Sequence, residues 1–182
     1  IVPAPDMKTV VDAFCANEAH IAALSSISYL VASENGCAEA RLLWSAHEDI
    51  KYGGMVFTKT SGGYSDITQL RDQVLCIPSK NSMSGWILPS LEIMAQVGDP
   101  ESFFGEIREL GSHFNVLDSV YNGECEVGTS FFDVREDSDL PNVMENISVI
   151  LTTGSTPMTN ISVTLDIPPE LSTRLVDYFI TT

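Results

Sequence analysis

Gln73-Val74-Leu75-Cys76-Ile77-Pro78, then Ser79-Lys80-Asn81-Ser82-Met83-Ser84-Gly85, then Trp86, is the stretch on which the reading of this sequence turns. The first six residues predict a short buried strand, because an apolar run of this length bounded by polar residues suits the interior of a sheet. A polar loop follows. A helix is predicted from about Trp86 to Val97, with Trp86, Leu88, Leu91, Met94 and Val97 as its apolar positions. Pro89 falls where a first turn tolerates it. Strand, loop and helix in this order place Ser82, Ser84 and free backbone N–H groups at a helix N-terminus. Such a terminus can hold an anion without any Lys or Arg, and Gly85 lets a ligand come close to the backbone. The same serines also suit a plain helix cap, and the local pattern leaves both readings open.

Outward from this stretch, helix-like and strand-like segments alternate. Asp6 can cap a helix whose inner face is Met7, Val10, Val11 and Phe14. His20 to Leu24 reads as a strand, Ser25-Ser26 as a strand-to-helix loop, and residues 27–33 as a helix stopped by Gly36. Residues 41–45 and 52–59 are strand candidates, and Thr60-Ser61-Gly62-Gly63 is a turn or hinge. A short helix is expected over 66–72. Beyond Val97 come a strand over 104–110, a helix carrying Phe114, Leu117, Val120 and Tyr121, and a strand over 125–132. An acidic loop from Asp133 to Asn142 leads to strands at 147–152 and 161–165 and to a last helix with Leu171, Leu175 and Phe179. This alternation predicts an α/β fold with a mainly parallel sheet. The restart near Thr60 predicts two lobes, residues 1–58 with 148–182 and residues 59–147. Ser25-Ser26 is then a second candidate anion site, and the two helix N-termini, one per lobe, could face each other across a cleft. Tyr52, His113 and Asp133 fall at strand ends or helix starts, where ligands of open α/β sheets bind.

The 182 residues are 44% hydrophobic and 19% charged, which is ordinary globular composition. With 25 acidic against 9 basic residues the formal net charge is −16, and the basic residues are scattered. A general electrostatic grip on nucleic acid or on an anionic membrane is excluded on that balance. No apolar run reaches the roughly 18 residues needed to span a bilayer. The opening Ile1-Val2-Pro3-Ala4-Pro5 has no initiator Met and no basic leader, so the chain reads as processed or trimmed. Cys15, Cys37, Cys76 and Cys125 form no CxxC pair, which excludes a zinc ribbon and a thioredoxin-like motif. Their apolar surroundings suit buried free thiols, and a Cys15–Cys37 disulfide is the alternative in an oxidising compartment.

Enzyme signatures are weak. Ser84 lacks the glycine two positions earlier that a nucleophile elbow needs, since Ser82 stands there. Ser84, His113 and Asp133 match no familiar triad order. His20, His47 and His113 have no metal-ligand spacing, and no P-loop or dinucleotide fingerprint occurs. No catalytic residue, cofactor or metal is expected.

In order and spacing, Ala22-Ala23-Leu24-Ser25-Ser26-Ile27-Ser28-Tyr29, Tyr52-Gly53-Gly54-Met55-Val56-Phe57-Thr58-Lys59, Asn81 to Trp86, Gly111-Ser112-His113, Val120 to Gly128 and Ile167-Pro168-Pro169-Glu170-Leu171 resemble one family across nearly the whole chain. It is the phosphate/phosphite/phosphonate substrate-binding proteins of ABC transporters, with the two-lobed type 2 periplasmic binding protein fold. The resemblance implies a fold lacking the N-terminal strand and helix of the first lobe, as in a fragment, a trimmed chain or a truncated member. It also implies capture of a small phosphonate, phosphite or phosphate-like oxyanion for the transmembrane permease subunits of an ABC importer. The implied location is periplasmic or extracellular, with lipid anchoring through a removed N-terminal segment as one arrangement. The family's Ser-Thr-Ser-Gly loop matches Ser82, Met83, Ser84 and Gly85, with Met83 in place of the threonine. Its tyrosine matches Tyr52, its histidine after Gly-Ser matches His113, and its later acidic residue matches Asp133. In members that bind aminophosphonates the last two contact the ligand's variable end. Met7, His20 and Ile161 depart from the pattern, at positions where members carry a tyrosine, an aspartate and a ligand aspartate. A ligand-sensing extracytoplasmic domain of the same fold is the alternative, and a hydrolase of unknown type the third.

Overall fold

The computed structural model describes residues 7–45 and 49–181. In chain order the first elements are α1 (Met7–Cys15), β1 (Ile21–Leu24), α2 (Ser26–Glu34), β2 (Glu39–Leu43), β3 (Lys51–Tyr52) and β4 (Gly54–Lys59). Next come β5 (Val74–Ile77), α3 (Leu88–Val97), α4 (Pro100–Phe103), β6 (Glu106–Glu109), α5 (His113–Asn122) and β7 (Val127–Phe131). The last are α6 (Val143–Asn146), β8 (Ile147–Thr152), β9 (Thr156–Pro157), β10 (Asn160–Val163) and α7 (Pro169–Thr181). The proposed Asp6 cap and His47 lie outside the described residues.

The chain divides into two compact units, residues 1–51 with 156–182 and residues 52–155. The first carries a three-stranded sheet in the order β1-β10-β2, with β10 antiparallel to both neighbours. Val11 and Phe14 of α1, Leu24 of β1, Ala32 of α2 and Ala38 form its core.

The second unit holds a five-stranded sheet in the order β6-β5-β7-β4-β8. β5 runs parallel to β6 and β7, whereas β4 runs antiparallel to β7 and β8. The α/β class holds, but neither sheet is mainly parallel: the three-stranded sheet is antiparallel and the five-stranded one is mixed. Side chains alternate across the strands. Met55, Phe57 and Cys76 join Val116, Leu117 and Val120 of α5 on one side. Val56, Leu75, Ile77 and Val127 join Ile93 of α3 on the other. A strand packed on both faces reads as a continuous apolar run, which is why β5 was visible in the sequence.

The boundaries between the units differ from those expected. β4 pairs along its length with β7 and β8, so residues 52–58 belong to the second unit and the turn at Thr60–Gly62 lies within it. β8 follows β4 into the same sheet, so the return comes after Ser155 instead of at residue 148.

The cysteines also differ from the free-thiol reading. Cys15 is bridged to Cys37 and Cys76 to Cys125, with Cα–Cα distances of 5.0 and 6.1 Å. β5 and β7 are parallel neighbours, and this brings Cys76 beside Cys125, just ahead of β7. The second bridge closes a separation of 49 residues, for which the chain-entropy model gives a stabilisation of about 4 kcal/mol. Replacing Cys76 and Cys125 by Ala is therefore expected to lower the urea midpoint steeply. A variant pair unfolding at the parent's midpoint would contradict this.

Candidate functional site

The helix after β5 begins earlier than its apolar pattern predicts. Ser82 is the N-cap, residues Met83–Ile87 form a wide π-type first turn, and α3 continues from it. The Ser82 carbonyl accepts from the amides of Trp86 and Ile87 at 3.0 and 2.9 Å. Its Oγ accepts the Gly85 N–H at 3.1 Å. Ser82 is thus a cap in fact, which does not exclude the anion reading. The amides of Met83 and Ser84 belong to the first turn, where no intrahelical acceptor exists. Ser84 and Gly85 are buried. Lys80, the one cation of the loop, forms an ion pair with Glu101, so the charge at this terminus comes from backbone dipoles.

α5 brings His113 to the same place. Ser112 caps this helix by accepting the Phe114 N–H at 3.2 Å, which fixes His113 as its first residue. His113 Nε2 lies 3.4 Å from Ser82 Oγ, and Nδ1 lies 2.9 Å from Ser130 Oγ. The ring packs against Phe131 at 5.2 Å between centroids. Burial pushes the imidazole below its ordinary 6.5 and favours the neutral ring. The unfolded chain takes up its proton first as pH falls, so this contribution to stability is complete above 6.5 and is lost from 6.5 down toward the folded value. Urea unfolding between about pH 7.5 and 5 is expected to show the parent losing stability relative to His113→Gln. Parallel curves would mean that the ring titrates alike in both states.

Asp133 has another partner. Arg135 Nε donates to its two carboxylate oxygens at 2.8 and 3.1 Å, an Arg135 Nη joins them, and the Arg135 amide adds a bond at 3.1 Å. Arg135 also donates to the Ile147 carbonyl at 2.9 Å. Burial raises the Asp133 carboxyl, but these bonds and the guanidinium charge outweigh it and hold the group below its ordinary value. With its side chain only 5% exposed, the carboxylate is occupied by Arg135. Ser84, His113 and Asp133 do not make a triad either, since His113 Nδ1 is turned to Ser130.

Tyr52 sits half-buried in β3, and burial pushes its phenol up, so it stays neutral. Ser25 and Ser26 belong to the other unit and are used inside it. Ser25 caps α2 by accepting the Ser28 N–H at 3.3 Å, while buried Ser26 donates to the Pro157 carbonyl. Ile161 lies in β10 opposite Ala23 and Leu42.

Two residues were missed. Ser130 and Thr129 are fully buried on β7, and Thr129 Oγ1 donates to the Gly85 carbonyl. Two adjacent hydroxyls in the buried strand Val127-Gly128-Thr129-Ser130-Phe131 were the available signal, because buried polar groups need partners. Among the described residues no group of three or more His, Cys, Asp or Glu could hold a metal.

The whole chain, residues 1–182, matches the family described as ABC transporter, phosphonate, periplasmic substrate-binding protein. No curated protein matches it. Among solved structures, a Xanthomonas citri protein bound to ATP is similar over 97% of this chain and 69% of its own, at 19% identity and a TM-score of 0.81. The binding-protein component of a phosphonate ABC transporter from Pseudomonas aeruginosa is similar over 97% of this chain and 61% of its own, at 17% identity and a TM-score of 0.77. PhnD1 from Prochlorococcus marinus in complex with methylphosphonate is similar over 97% of this chain and 69% of its own, at 15% identity and a TM-score of 0.75. At these identities the structures carry the fold, a type 2 periplasmic binding protein, and the full-length match carries the family: the chain belongs to the periplasmic substrate-binding proteins of phosphonate ABC transporters.

Proposed function

We propose that this chain binds a small phosphonate, phosphite or phosphate-like oxyanion at the first turn of the 83–97 helix and delivers it to the transmembrane subunits of an ABC importer, without chemical turnover. The observation that carries this reading is the convergence of Ser82, the first-turn amides and the His113 ring on one helix N-terminus. Dipoles and hydroxyls suffice there for an anion. The two disulfides suit an oxidising compartment outside the cytoplasm. The occupied Asp133 disfavours a ligand with an ammonium group, so methylphosphonate, phosphite and phosphate are preferred over 2-aminoethylphosphonate.

A thermal-shift screen of these four compounds tests the reading, since a ligand bound only by the folded state raises the melting temperature by mass action. Stabilisation by at least one of the three amine-free oxyanions is expected. The reading fails if none stabilises, and its amine-free part fails if 2-aminoethylphosphonate binds best.

Salt provides a second check. The net charge of −16 repels an anion at long range, while direct contacts lie well inside the Debye length of about 10 Å at 0.1 M. Affinity should change by less than about threefold between 0.05 and 0.5 M salt, with any trend upward. A steep fall would point to a cationic site elsewhere.

A further inference from the structure

We propose that Ser130, acting through His113, makes Ser82 an obligate hydrogen-bond donor, so that the site selects ligand oxygens that carry no proton. The inference rests on the oxyanion reading of this site and adds a positioning residue to it. Ser130 is fully buried on β7, and its Oγ lies 2.9 Å from His113 Nδ1. A buried hydroxyl proton without an acceptor is costly. If Nδ1 carried the ring proton, Ser130 could only accept, and its own proton would face the packed interior. The satisfied arrangement has Ser130 donating to a bare Nδ1. A neutral ring has one N–H, so the proton is on Nε2, which faces Ser82 Oγ at 3.4 Å.

Ser82 Oγ then accepts twice, from Nε2–H and from the Gly85 amide at 3.1 Å. A hydroxyl has two lone pairs and one proton. With both lone pairs engaged, the proton is left for the ligand. The relay runs one way: Ser130 O–H to Nδ1, Nε2–H to Ser82 Oγ, Ser82 O–H outward. An unprotonated phosphonate or phosphate oxygen completes it. A P–OH group at that point would meet a donor with its own proton and find no acceptor. Ser130 therefore contributes to ligand choice without touching the ligand.

The test measures binding of methylphosphonate and inorganic phosphate by calorimetry to the parent, Ser130→Ala, Ser82→Ala, the double variant and Ser130→Thr. Nitrogen NMR of labelled histidine, with the His113 signals assigned by their loss in His113→Gln, gives the tautomer. Ser130→Ala should weaken binding about tenfold, the loss expected for one hydrogen bond no longer held in its polarity. In the Ser82→Ala background the same change should cost nothing more, because the relay acts through Ser82. Ser130→Thr keeps the hydroxyl and should recover most of the affinity. The parent spectrum should show Nε2 protonated and Nδ1 bare, and Ser130→Ala should show a mixture of tautomers. Additive losses in the double variant overturn the relay even if Ser130→Thr does not fold, and so does an Nδ1-protonated ring in the parent. If the parent binds neither probe nor phosphite, the oxyanion reading fails, and the spectrum by itself still decides the relay.

Discussion

Replacing Ser82 and Ser84 together by Ala is expected to weaken binding of the best oxyanion by about a hundredfold or more. Both residues lie at the start of the 83–97 helix, Ser82 as its cap and Ser84 within the first turn. Hydrogen bonds to a charged group are worth about 1.5–3 kcal/mol each. Two of them lost correspond to at least a hundredfold at about 1.4 kcal/mol per tenfold. Part of the damage will be to folding, because the Gly85 amide loses its acceptor, and a lost cap costs about 1 kcal/mol. Unfolding without ligand measures that part, and titration of the folded variant measures the rest. Met83→Thr adds a hydroxyl to the first turn and should tighten binding or leave it unchanged. If the double variant binds as the parent does, this turn is only a cap.

What the sequence made legible was local. The run from Val74 to Ile77 could be recognised as a strand from its own residues, because its burial depends on apolar character alone. Ser82 could be recognised as a helix start. The true extent of the first turn could not, since Met83 and Ser84 look like loop residues until the widened turn at Met83–Ile87 is seen. Non-local pairing was hidden altogether. Nothing in Gly54–Lys59 indicates that its partners are β7 and β8, and the nearby Gly62-Gly63 turn resembles a domain break more than the real crossing at residue 51 does. Cys76 and Cys125 were obscured in the same way, being joined by the parallel pairing of β5 with β7. The partner of Asp133 was hidden for a different reason. Arg135 stands two residues away in plain view, but only the turn geometry folds its guanidinium back onto the carboxylate. Ser130 lacked any motif, and its role exists only because α5 sets His113 against β7.

Gly54→Ala should be the most damaging single methyl in the second unit. A Cβ at Gly54 would lie 2.2 Å from the Ser84 carbonyl oxygen, 3.1 Å from its carbon and 3.0 Å from Pro89 Cγ. The first of these is far inside van der Waals contact, and the clashing atom is backbone, which cannot rotate away. Gly54 cannot retreat, because β4 is held between β7 and β8 and the Gly54 amide donates to Thr153 Oγ1 at 2.8 Å. The helix start must move instead, and with it the turn from Ser82 to Gly85. Overpacking of this severity costs about 3 kcal/mol or more. It should also weaken oxyanion binding in the fraction that remains folded, since sub-ångström placement of the first-turn donors sets their hydrogen bonds. Gly154→Ala is the matched control: nothing lies within 4 Å of its Cβ, and a change of less than about 0.5 kcal/mol is expected there. Urea unfolding of the two variants beside the parent, followed by titration with methylphosphonate, measures both effects. A Gly54→Ala protein as stable as Gly154→Ala, with the parent's affinity, would mean that the helix start is not packed on β4 and that the site is not built on this contact.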